Sequence, residues 1–246
     1  VVEGLQGVSY KAPLGRLRET VDIVRMAFKG DKIRYEGKHF TLPLPDGEGK
    51  AIRLDHPPRD IPIYLATLGP KSLEYTGQAA DGWLGTSFSP DHAGAHMDHL
   101  QKGAQAAGRS LSDMDLHSSC NVAIGENVEE MIDALRPGVA FSMGAMGSEK
   151  TNFYNDAFKR AGYTDDALAI QRLWKDGKRQ EAADRVPDEM VTEFGAIGTA
   201  DMVRKRFETY RDAGINALTL RMDNSLPIDQ RIANLEQIMD LLPDRD

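Results

Sequence analysis

The residues best suited to chemistry lie in one short turn, Thr67-Leu68-Gly69-Pro70-Lys71. The run before it, residues 61–66, is almost wholly apolar and rich in strand formers, as a parallel strand covered on both faces requires. Gly69 relaxes the backbone, and Pro70 suits the first position of a helix. The turn therefore joins the carboxyl end of a strand to the amino end of a helix. Free N–H groups and the positive end of the helix dipole converge there, and Lys71 adds a full charge. Such a turn either holds a phosphate or is a plain tight turn, and the residues alone leave both readings open. Neither the G-x-G-x-x-G dinucleotide fingerprint nor the G-x-x-x-x-G-K-[ST] phosphate loop is present.

The elements around the turn follow from periodicity. The next helix puts Leu73, Thr76, Gly77 and Ala80 on one face, small enough to lie close against a sheet. Asp81-Gly82 ends it, residues 83–88 read as the next strand, and the whole is a βαβ unit. A helix is expected over 89–108, with His92, His96 and His99 on one side. That spacing is metal-ligand geometry in principle, but no His-Glu-x-x-His motif accompanies it and no metal site is expected. Residues 116–124 read as a strand containing Cys120, which is assigned to core packing because no cation or helix terminus is in place to activate it.

Upstream, residues 1–10 read as a loop. Leu14, Leu17, Val21 and Val24 mark a helix capped by Gly30, and residues 33–42 form a hairpin around Glu36-Gly37. Residues 43–60 form a long loop containing His56, which is read as structural. From 127 to 187 the periodicity is helical, with Asn127 and Glu130 resembling a capping box. Residues 141–147 look flexible, and no strand is evident. A helical insertion of this kind suits a lid. The last unit has Thr199 as the N-cap of a helix, a strand over 217–222, and a final helix over 227–242 with Ile232, Leu235, Ile238 and Met239 inward. Arg221 falls at that strand's carboxyl end, where it is either a pocket residue or a surface ion-pair arginine.

The 246 residues, 41% apolar, suit one large domain with an insertion. A formal charge of −8 and the lack of a basic cluster argue against nucleic acid and anionic membranes. The single cysteine excludes internal disulfides and fits a cytoplasmic location, and no apolar run reaches spanning length. Repeated strand–helix alternation leaves two α/β architectures, a doubly wound open sheet or a β/α barrel.

Several ordered stretches resemble the luciferase-like monooxygenase superfamily, in particular its deazaflavin (coenzyme F420)-dependent oxidoreductase branch. The specific block is Pro62-Ile63-Tyr64-Leu65-Ala66, then Gly69-Pro70-Lys71, then Ala80-Asp81-Gly82-Trp83. Weaker matches are Val1-Val2-Glu3-Gly4, Met146-Gly147 with Asn152-Phe153, Val186-Pro187-Asp188-Glu189, and Ala213-Gly214. The resemblance implies a TIM (β/α)8-type barrel with a cofactor at the carboxyl ends of its strands. Thr67, Leu68, Gly69, Pro70 and Lys71 would hold the cofactor's phosphate, and Thr86, Ser87 and Arg221 would line the pocket. Leu5-Gln6 stands where the family commonly has an aromatic-histidine pair, and Phe141-Ser142-Met143 where it more usually has Tyr-Ile-Gly.

Only four barrel strands can be placed, near Ile61, Trp83, Leu116 and Ala217. The expectation is therefore the C-terminal portion of such a barrel, a single domain over 1–246 with a helical insertion over 127–187. An open half-barrel exposes an apolar inner face and favours a homo-oligomer. The implied activity is hydride transfer between F420 and a small organic substrate, with no catalytic acid or base assignable. The alternatives are an FMN-dependent monooxygenase and a non-catalytic half-barrel fragment or partner subunit.

Overall fold

A computed structural model describes residues 2–148 and 151–242, and Val1 of the amino-terminal motif lies outside them. Its contacts divide the chain into two compact units, residues 1–63 and 64–246.

In the first unit, helix α1 (Val2–Leu5) occupies part of what reads in sequence as a loop. Helix α2 (Pro13–Phe28) begins with proline at its first position. It ends in a Schellman motif: Gly30 takes φ +70°, its N–H bonds the Ala27 carbonyl, and the Asp31 N–H bonds that of Met26. The hairpin pairs strand β1 (Tyr35–Glu36) with β2 (Thr41–Leu42). Glu19 of α2 holds its tip, accepting backbone N–H bonds of 2.8 Å from Lys38, His39 and Phe40. Desolvation acts to raise the Glu19 pKa, but these three N–H donors outweigh it and hold the carboxyl below its usual range.

The second unit is built on an all-parallel sheet. In chain order it contains β3 (Tyr64–Leu65), helix α3 (Pro70–Ala79), β4 (Gly82–Gly85), α4 (Gly94–Ala106) and β5 (Asp115–Ile124). Five helices follow: α5 (Val128–Gly144), α6 (Phe153–Arg160), α7 (Thr164–Lys175), α8 (Arg179–Asp184) and α9 (Asp188–Thr192). The chain then returns to the sheet with β6 (Gly195–Gly198), α10 (Ala200–Asp212), β7 (Ala217–Arg221) and α11 (Ile228–Met239). Strands pair in the order β3-β4-β5-β6, with β7 also on β5. The sheet is open, and no closed barrel forms among the described residues.

Strand β5 is the spine because it pairs with three others. Its even residues Leu116, Ser118, Cys120 and Val122 are buried, and Leu116, Cys120 and Val122 join Trp83, Phe88, Leu73 and Leu100 in the main core. Burial pushes the Cys120 thiol up to about 12, as expected for a packed thiol. A second core lies among the inserted helices, with Met143, Phe158, Ile170 and Met190 inside. Strand β6 serves both, since Ala196 belongs to the sheet core and its neighbour Ile197 to the helical one.

Several expectations change. The β3 ladder spans Tyr64–Leu65 rather than 61–66. The small face of α3 meets α4, not only the sheet: a Cβ on Gly77 would lie 2.0 Å from the Leu100 carbonyl oxygen, and one on Gly103 would lie 1.8 Å from that of Glu74. The helix expected over 89–108 is broken into a 3-10 turn (Pro90–His92) and α4. Residues 141–144 continue α5 instead of forming a flexible stretch. β6 is a fifth strand beyond the four that the sequence predicts. On α11 only Ile238 is buried, while Ile232, Leu235 and Met239 are 49%, 40% and 55% exposed. The uncovered face of β5 and β7 carries Ser119, Asn121, Thr219 and Arg221, so it is polar where an apolar inner face was expected.

Two outcomes follow for stability. Gly103→Ala favours the helix intrinsically but overlaps the Glu74 carbonyl, so denaturant unfolding should show a loss of about 1–3 kcal/mol; unchanged stability would contradict the close packing. Glu19 has a lowered folded-state pKa, so its contribution is present above its unfolded pKa and is lost as pH falls through the folded one. Protection at residues 38–40, the observed exchange relative to the intrinsic rate at each pH, should therefore fall on acidification below about pH 4.3, the ordinary glutamate range, and Glu19→Gln should abolish that fall.

Candidate functional site

Parallel strands end together, so the loops after β3, β4 and β7 gather at one edge of the sheet. A cavity of about 470 Å³ opens there. Its floor is Thr86 and Ser87 after β4, Ser119 and Asn121 of β5, and Arg221 closing β7. The register explains the grouping: Asn121 is paired with Arg221 and Ser119 with Thr219, so these side chains share the face opposite the core. Ser87 has φ +50°, a left-handed conformation costing a serine on the order of 1 kcal/mol. Arg221 has no carboxylate partner among the described residues, which removes the surface ion-pair alternative for it there.

The helices form the opposite wall. Val139, Phe141 and Ser142 come from α5, Met146 follows it, Tyr154 and Phe158 come from α6, and Phe194 precedes β6. Phe158 and Phe194 stack with ring centroids 4.2 Å apart, and Tyr163 meets Phe194 edge-on at 6.3 Å. Behind them, the Tyr163 hydroxyl donates to Glu193, which also bonds His92 Nε2 at 3.0 Å. Burial raises the Tyr163 pKa and the Glu193 bond raises it further, so the phenol stays protonated. Asn152 caps α6 and donates to the Met143 carbonyl at 2.7 Å, while Asn155 donates to that of Ala167 at 2.8 Å. These two buried amides tie α5, α6 and α7 together.

The turn at 67–71 does not line this cavity; it lies beside it, after the neighbouring strand β3. Its side chains and amides have separate tasks. The Thr67 hydroxyl lies 2.7 Å from that of Thr76, which in turn donates to the Ser72 carbonyl, and the Thr67 carbonyl accepts from Trp83 Nε1 at 2.9 Å. Thr67 is thus committed to structure. Pro70 sets the first turn of α3, and the Gly69 carbonyl accepts from Ser72 and Leu73 N–H. The N–H groups of Leu68, Gly69 and Lys71 have no protein acceptor among the described residues. Arg160 of α6 donates to the Leu68 carbonyl at 2.7 Å and to that of Ala95 at 3.4 Å. Because C=O and N–H of one trans peptide point in opposite directions, this grip fixes where the Gly69 N–H is aimed.

The three histidines do not converge. His92 meets Glu193, His99 lies 3.5 Å from Glu74, and His96 is buried between the rings of Trp83 and Phe88. Burial, and secondarily Arg160, pushes His96 down to about 3, so it is a neutral core residue. No group of three or more His, Cys, Asp or Glu suited to a metal ion occurs among the described residues. Sequence reasoning missed Ser119, Asn121, Tyr154, Phe194 and Arg160. The alternation of β5 could have found the first two, whereas the others depend on how the inserted helices fold back.

Residues 1–217 match the luciferase-like monooxygenase family, and the chain belongs to it. Among its relatives is Rv3520c of Mycobacterium tuberculosis, named as a coenzyme F420-dependent oxidoreductase. It is 35% identical over 89% of this chain and 66% of its own length. The 5,10-methylenetetrahydromethanopterin reductase of Archaeoglobus fulgidus is 28% identical over 85% of this chain and 60% of its own length. The solved structure of a coenzyme F420-dependent tetrahydromethanopterin reductase from Methanopyrus kandleri superposes with a TM-score of 0.70 at 25% identity. It covers 92% of this chain and 62% of that one. An F420-dependent secondary alcohol dehydrogenase shares the fold, with a TM-score of 0.69 at 20% identity, over 98% of this chain and 66% of that one. The chain thus spans less than two thirds of the length of these relatives.

Arg160→Met should remove the grip on Leu68. Exchange of the Ser72 and Leu73 amides, which bond the Gly69 carbonyl, should quicken by about tenfold, roughly the worth of a charge-assisted hydrogen bond, while α10 is unaffected. Unchanged exchange at the turn would show that Arg160 does not position it.

Proposed function

We propose that this chain is the C-terminal portion of a TIM-type barrel oxidoreductase that moves a hydride between coenzyme F420 and a small organic substrate. The observation that carries the reading is the conjunction at one sheet edge: unpartnered amides at Leu68, Gly69 and Lys71 beside a cavity floored by Thr86, Ser87, Ser119, Asn121 and Arg221. The donor set fits a phosphate-bearing cofactor, since N–H groups at a helix amino end attract an anion and Lys71 reinforces them. The F420-dependent relatives support the choice of cofactor.

In this reading the Leu68, Gly69 and Lys71 amides and the Lys71 ammonium hold the phosphate, and Thr67 and Pro70 shape the turn. Thr86, Ser87, Ser119, Asn121 and Arg221 orient the bound groups from the floor. The helical insertion over 127–187, a single domain with the barrel, covers the cavity and excludes water. Bound F420 would supply the two-electron hydride chemistry, with the protein contributing orientation and electrostatics. A homo-oligomer in the cytoplasm fits the open sheet edge and the single cysteine.

The test is a fluorescence titration with F420. Gly69→Pro suits the observed φ of −78° yet deletes one N–H donor, so the Kd should rise about tenfold. An unchanged Kd in a folded variant would remove the turn from the site, and tight binding of FMN instead of F420 would replace the cofactor.

A further inference from the structure

We infer that the substrate taken by this cavity is an uncharged, mainly apolar molecule with one hydrogen-bonding oxygen, which the Tyr154 hydroxyl receives. This inference rests on the reading of the cavity as the substrate side of the site. The helical wall offers Val139, Met146, Phe141, Phe158 and Phe194, and among the described residues no charged side chain of that wall lines the cavity. Arg221 is the cavity's one charged lining residue among those described, and it belongs to the sheet floor with the cofactor-orienting groups.

The electrostatics then exclude a class of substrate. A phosphorylated sugar placed against this wall would lose hydration with no cation among the wall's described residues to replace it, a cost of several kcal/mol while Arg221 serves the cofactor side. An aryl or alkyl group instead gains contact with stacked rings held rigidly from behind by Tyr163 and Glu193.

The wall's polar groups are equally selective. Ser142 Oγ already donates to the Gly138 carbonyl at 3.0 Å, so its proton is taken. The Tyr154 hydroxyl has no partner among the described residues, although the residue lines the cavity and its backbone N–H is fixed on Asn152 Oδ1 at 3.1 Å. Among the described residues it is the wall's one free hydroxyl donor, on a side chain whose backbone is anchored, and it suits a single carbonyl or alcohol oxygen.

The experiment is an NMR titration of the full chain and of Tyr154→Phe with benzyl alcohol, toluene and glucose 6-phosphate, after thermal melts establish that both proteins are equally folded. The expected result is saturable shifts at 139–146 and 154–158 with both aromatic probes and none with glucose 6-phosphate. Tyr154→Phe should weaken benzyl alcohol about fivefold, one hydrogen bond's worth, and leave toluene within about twofold. Glucose 6-phosphate binding as well as benzyl alcohol, no saturable binding of either aromatic probe, or equal effects of the variant on both would overturn the inference. A parallel F420 titration separates the two claims: failure of F420 to bind, with the probe selectivity intact, overturns the cofactor reading and leaves this one standing.

Discussion

The structure of the second unit depends on the alternation of one strand. β5 sends Leu116, Cys120 and Val122 into the core and Ser119 and Asn121 the other way. A period of two makes these assignments inseparable, since a slip of one residue would put Asn121 into the core and Val122 onto the site. Three other strands take their register from it, and so the same pattern that buries Trp83 and Phe88 also brings Arg221 level with Asn121. Packing and site are two faces of one constraint.

The inserted helices extend that logic. β6 is short, yet its adjacent residues Ala196 and Ile197 enter different cores, so the helical unit is joined to the sheet by covalent succession and by packing at once. Arg160 adds a polar tie from α6 to the Leu68 carbonyl, and His92 with Glu193 adds another from the turn after β4 to the segment after α9. The inserted helices and the 67–71 turn are therefore joined through Arg160, independently of the chain's own path.

Local signals were legible where the chain punctuates itself. Gly30, Pro70, Asn127 and Thr199 mark helix ends that the structure keeps. β6 was not legible because Gly-Ala-Ile-Gly offers one branched residue, Ile197, between two glycines and no aromatic; it is a strand because β5 templates it and two cores claim its side chains. The outward face of α11 was misread because helical periodicity gives the existence of an apolar stripe and not what it faces. Of the site, the turn and the positions of Thr86, Ser87 and Arg221 could be placed by counting along strands. Tyr154, Phe194 and Arg160 could not, since their roles come from helix–helix packing distant in sequence.

The measurement that reaches the centre of this account is deuterium exchange of the chain with and without saturating F420. Slowed exchange is expected at 68–72, 86–87, 119–121 and 221, and in α5 and α6, with α4 and α10 on the opposite face unchanged. No slowing at those positions, or slowing confined to α4 and α10, would contradict the assignment of the site to the polar face of the sheet.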